Sequence, residues 1–97
     1  MNTLARRKGE PLGSLRALND AIAKMRGEAM GAQESYGDFA SMHEAYGVLA
    51  EEVAELFDAV RMRQSDGRMR VDAIAKEAIQ VAAVAIRMAE QAGRVTR

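Results

Sequence analysis

The 97-residue chain has no cysteine, no tryptophan, one proline, one histidine and only two tyrosines and two phenylalanines. Without cysteine there is no disulfide, no thiolate metal site and no thiol nucleophile, and redox chemistry gives no clue to compartment. The single histidine, His43, cannot build a histidine-rich metal centre. In the first turn of an expected helix it reads as a surface or capping residue, with a direct chemical role as the alternative. Fourteen basic residues balance fourteen acidic ones, so the molecule as a whole has no electrostatic footprint for nucleic acid or an anionic membrane. The longest purely apolar run, Val81 to Ile86, is far too short to span a bilayer. The start carries Arg6, Arg7 and Lys8 and then Gly9-Glu10-Pro11 with no apolar segment, so it does not read as a signal peptide. The expected location is the cytoplasm.

What is present is aliphatic. Hydrophobic residues make up 48% of the chain and aromatics 4%, so alanine, valine, leucine, isoleucine and methionine supply the apolar surface, as in packed helices. The length fits one domain near the lower end of independent folding. Residues 1–13, with two glycines and Pro11, read as a mobile arm, and 14–97 as a single all-α domain. The Arg6-Arg7-Lys8 triplet could touch a phosphate but is most simply a solvated tail.

Three helices follow from periodicity. Ser14 can cap a first helix to about Gly31, with Leu15, Leu18, Ile22, Met25 and Ala29 as one buried stripe. Gly27 and Gly31 weaken its C-terminal end by up to about 1 kcal/mol each. A loop then carries Tyr36, Gly37 and Phe39. Two rings there either stack on a base or plug the end of the bundle. Ser41-Met42-His43-Glu44 fits a capping box that opens a second helix to about Gln64. Ala45, Leu49, Val53, Leu56 and Val60 should face inward, with Tyr46 and Phe57 on one flank. Ser65-Asp66-Gly67 is a turn. A third helix from about Arg70 to Ala92, closed by Gly93, has two apolar stripes: Val71, Ile74, Ala78, Val81, Ala85 and Met88, and Ile79, Ala82, Ile86 and Ala89. Two other helices of one subunit cannot easily cover both stripes, so a homodimer is expected, in which bundles of four-helix type share the third helix. Pairing of dimers into tetramers stays open.

The chemistry gathers in the second and third helices. Glu51, Glu52 and Glu55 stand at one-turn spacing beside the apolar seam of the second, where half-buried carboxylates about 5 Å apart would repel by roughly 3 kcal/mol. A solvated acidic face is the plain reading of such a run, and a bound cation the sharper one. In the third helix Glu77 and Gln80 lie within an apolar stretch, so Glu77 must be paired, protonated or bound to a metal. The short turn makes the two helices antiparallel and sets Glu52 and Glu55 across from Glu77 and Gln80. Three carboxylates and an amide oxygen, with no nitrogen or sulfur donor, suit a hard divalent ion, magnesium or manganese. A hydrogen-bond network with one protonated carboxyl is the competing account.

The pattern Glu-Glu-x-x-Glu followed by Glu-x-x-Asp in an apolar helix resembles the MazG-like all-α nucleoside triphosphate pyrophosphohydrolases. Here it reads Glu51-Glu52-Val53-Ala54-Glu55 and Glu77-Ala78-Ile79-Gln80, with glutamine in place of the family's aspartate, and the likeness runs over residues 36–92. The resemblance implies magnesium-dependent hydrolysis of a nucleoside triphosphate between its α and β phosphates, giving a monophosphate and pyrophosphate, in housekeeping of the nucleotide pool. It implies metal ligation by Glu52, Glu55 and Glu77, with Gln80 at the fourth position, and a second ion or an oriented water at Glu51. Tyr36 and Phe39 would flank the nucleobase. Arg87, on the same side of the third helix as Gln80, could meet a phosphate. The alternative is a non-catalytic helical dimer that binds nucleotides or a protein partner.

Overall fold

The computed structural model describes residues 13–95. The expected N-terminal arm, with Arg6, Arg7 and Lys8, lies outside the described residues but for Gly13. The chain is all-α: α1 (Gly13–Tyr36), α2 (Met42–Arg61) and α3 (Val71–Val95) follow one another. Among the described residues the one extended pairing is an isolated antiparallel bridge between Arg63 and Met69. None of the helices is long and apolar enough to cross a membrane among those residues.

Local chemistry explains most of the boundaries. The first helix does not stop at Gly31 but runs on to Tyr36, which therefore sits on a helix end and not in a loop. Packing overrides propensity here. Ala29, between the two glycines, is one of the few buried residues, and Gln33 one turn on accepts a hydrogen bond from Arg87 of α3. The helix stops at Gly37, whose φ of 71° is the left-handed conformation that suits glycine, with its N–H donating to the Gln33 carbonyl at 2.8 Å. Ser41 caps α2, its Oγ accepting from the Glu44 N–H at 3.0 Å. The Glu44 carboxylate reaches back to the N–H of Ala40 at 2.7 Å, one residue earlier than in the usual box. The turn after α2 is closed by Gly67 at φ 85°, with Asp66 Oδ1 accepting from the Arg68 N–H at 3.0 Å. Gly93 does not end α3, which continues to Val95.

The third helix is the centre of the molecule. Both α1 and α2 pack on it, and they do not pack on each other. Ala45 clusters with Val84, and Glu52 lies by Glu77, so α2 and α3 run antiparallel. Glu28 meets Gln80 and Gln33 meets Arg87, so α1 and α3 run parallel. The buried apolar residues are Ala29, Phe39, Ala45, Ala59, Ala83 and Val84, and four of the six are alanines.

Small side chains let helices approach closely, and this shifts the faces from those that hydrophobic size suggests. On α2 the packed line runs through Ala45 and Ala59, while Val53 and Val60 are 46% and 39% exposed. The expected line is therefore rotated, and Glu52 lies half-buried on the packed side instead of on a shoulder. On α3 the most buried positions, Ala83 and Val84, belong to neither expected stripe. They lie on the strip that faces both neighbours. The first helix is tied down only toward its C-terminal end, since Leu15 and Leu18 are 51% and 57% exposed while Ala29 is buried. The radius of gyration is 16.1 Å, against about 13 Å for a compact domain of about 100 residues.

Candidate metal centre

The carboxylates of Glu52 and Glu55 on α2 and Glu77 on α3 each offer an oxygen, and these oxygens lie within 4.8 Å of one another. Helical geometry brings them together. Glu52 and Glu55 are three residues apart on one helix, and the antiparallel register sets Glu77 opposite. Glu52 and Glu77 are half-buried and Glu55 is exposed. Oε1 of Glu52 is shut off from solvent and has no hydrogen-bond partner.

An orphaned carboxylate oxygen is costly, and its proton affinity shows this. Burial pushes the Glu52 carboxyl above the ordinary glutamate range. The charges of Glu55, Glu77 and Glu51 add to the shift. A divalent cation would relieve this repulsion, and the donors fit one: they are all hard oxygens, with no sulfur or imidazole nearby to favour a softer metal.

The other sequence-predicted residues fall into two groups. Glu51 is exposed on α2 beside the triad and acts on Glu52 through its charge. Gln80, one turn along α3 from Glu77, turns its amide nitrogen to α1 and donates to Glu28 Oε1 at 2.9 Å. Further along α3, Gln80, Arg87 and Tyr36 line one groove of about 390 Å³ with Glu28, floored by Gly27 and Gly31. Tyr36 is 82% exposed on its rim.

Phe39 is elsewhere, buried in the small core with Ala45 and Val84. Its backbone is clasped by Gln91, which accepts from its N–H and donates to its carbonyl, both at 2.9 Å. The Arg87 guanidinium stacks on its ring at 4.4 Å and donates to the Gly37 carbonyl at 2.9 Å and to Gln33 Oε1 at 3.2 Å. Phe39 and Arg87 therefore hold the α1–α2 connection against α3. Arg94 completes that clasp with a bidentate pair to Asp38, which draws the Asp38 carboxyl below its usual range, the hydrogen bonds from Arg94 and then Gln33 being the leading causes.

Glu28 was not among the sequence-predicted site residues. Its only sequence signal is a carboxylate set between Gly27 and Gly31, beside the apolar stripe of α1. Nothing in a single chain says that this position meets Gln80. Comparison with family models, with curated proteins and with solved structures finds no match for the chain.

Proposed function

We propose that the protein is a magnesium-dependent nucleoside triphosphate pyrophosphohydrolase of the MazG-like all-α kind, cleaving between the α and β phosphates to release a monophosphate and pyrophosphate. The observation that carries the reading is the buried, partnerless Glu52 Oε1 beside Glu55 and Glu77. A carboxylate in that state calls for a positive charge. Manganese would serve as well as magnesium, since both take oxygen donors.

A divalent ion held there supplies Lewis-acid stabilisation of phosphoryl oxygens and lowers the pKa of a bound water. The chain's own residues do the rest. Glu52, Glu55 and Glu77 hold the cation, and Gln80, one turn from Glu77, offers an amide oxygen. Glu51, exposed on the same helix, would orient a water or a second ion. The groove shared by Gln80, Arg87 and Tyr36 runs between α1 and α3, reaching the side chain one turn from Glu77, and an exposed tyrosine on its rim suits a nucleobase. Arg87 is already engaged with Phe39 and Gly37, and it would meet a phosphate only with its remaining donor capacity. Phe39 would act on the base from behind, by holding the Gly37 turn next to Tyr36. The free nucleotide pool makes the cytoplasm the natural site for this activity.

A homodimer belongs to the same proposal. Leu15, Leu18, Met30, Tyr46 and Phe57 are each more than half exposed, and apolar surface on this scale calls for a covering partner. Val71 and Ile86 of α3 are exposed as well, at 63% and 46%, so sharing of α3 between subunits stays part of the proposal. Light scattering at micromolar concentration should report a dimer or a pair of dimers, and a monomer there would remove this part.

A second reading rests on Gln80. An amide at the fourth position lowers the negative charge of the set, which favours a helical protein that binds a nucleotide or a protein partner without turnover. One assay separates the two. A panel of nucleoside triphosphates is incubated with magnesium and scored for pyrophosphate, then repeated with chelator and with Glu55→Gln. Release that needs both the ion and Glu55 supports the enzyme. Binding without release, in wild type, supports the second reading.

A further inference from the structure

Gln80 makes a hydrogen bond whose direction is not a matter of choice. A glutamine amide can be turned two ways, with nitrogen and oxygen exchanged, and the neighbours decide which. Glu28 as a carboxylate only accepts, so it takes the amide nitrogen, which donates to its Oε1 at 2.9 Å. The amide nitrogen is thereby committed to α1, and the oxygen is not. The oxygen is the only ligand atom the side chain can then offer to an ion at Glu77, its neighbour one turn back on the same helix.

Resting on the ion proposed above, we propose that Glu28 is a positioning residue for that centre: it locks the Gln80 amide with its oxygen presented to the cation, and its charge polarises that oxygen. A carboxylate hydrogen-bonded to a neutral ligand raises the ligand's basicity, as carboxylates do behind metal-bound histidines. The negative charge that an aspartate would supply at position 80 is in this way supplied from α1, one hydrogen bond further out.

The plain alternative is a clamp between two helices. Glu28→Gln separates the two, because an amide oxygen at that position still accepts from Gln80 while the charge is gone. Manganese binding to the full chain is measured by the loss of the free-ion paramagnetic resonance signal, alongside melting in chelator. E28Q should weaken manganese binding roughly tenfold or more with the chelator melting temperature unchanged. E28Q combined with Q80E, which moves the charge onto the ligand itself, should restore it. Wild-type affinity in E28Q overturns the proposal, as does a weakening that follows a fall in the chelator melting temperature. If the wild-type chain takes up no manganese at all, the ion reading falls and this one with it.

Discussion

Glu52→Gln should stabilise the protein when no metal is present and remove the gain that metal brings. Carboxylate oxygens of the triad stand within 4.8 Å of one another. At that spacing two unit charges repel by about 0.9 kcal/mol in water and about 3.5 kcal/mol at an effective dielectric of 20. Glu55 is exposed, so the lower figure governs, and relief from two neighbours amounts to roughly 1–2 kcal/mol after solvent screening. For a domain of this size that raises the melting temperature by about 5–15 °C. The measurement is thermal unfolding by circular dichroism at pH 8, far above the ordinary glutamate range, in chelator and again in millimolar magnesium or manganese. Wild type should gain stability from the ion, while E52Q should start higher and gain little. The pH dependence has a definite sign. Because the folded state holds the Glu52 proton more tightly than the unfolded one, that contribution is complete below the ordinary glutamate value near 4.5 and is lost as pH rises through the raised folded value. E52Q should lack this decline. A lower melting temperature for E52Q in chelator, with helix content intact, would refute the picture of an unneutralised cluster.

Two further substitutions test the clasp on the α1–α2 connection. Arg87→Ala removes the stack on Phe39 and the donors to Gly37 and Gln33, and should cost about 2–3 kcal/mol, read as a lower urea midpoint. An unchanged midpoint with weakened nucleotide binding would assign Arg87 to the substrate instead. Asp38→Asn tests the acid limb: the Asp38 carboxyl is held low chiefly by hydrogen bonds from Arg94, so its stabilisation is present above the ordinary aspartate range and is lost as pH falls through the lowered folded value. The variant should melt at a temperature that varies less with pH on the acid side, and an acid limb identical to wild type would contradict that role.

The all-α class and the three helices were legible because caps and turns are local: Ser41 with Glu44, Asp66 with Gly67, and the alternating apolar spacing each act within a few residues. Convergence of Glu52, Glu55 and Glu77 was legible for a related reason, since a short turn between two helices fixes their register. The inward faces were legible only in part, Ala45, Leu49 and Leu56 being at least partly covered as expected. Periodicity weighs side chains by size, and it favoured Val53 and Val60. Ala45 is buried as expected, but the other closest approaches fall at Ala59 and Ala83, where the smallest residues permit the closest contact. That rotation is also what half-buries Glu52 and gives its oxygen no partner. The length of α1 was hidden because two glycines disfavour helix locally, while contacts more than fifty residues away, through Gln33 and Arg87, hold it. Glu28 was hidden in the same way, its partner being set by the parallel packing of α1 on α3.

The central claim is that one divalent ion is held jointly by α2 and α3. Crystals of the full chain grown with manganese and measured for anomalous scattering test it most directly. A single peak within coordination distance of oxygens from Glu52, Glu55 and Glu77, absent from crystals of Glu77→Gln, is the expected result. Wild-type crystals with no peak there, or with manganese bound only at some other carboxylate, would contradict the account.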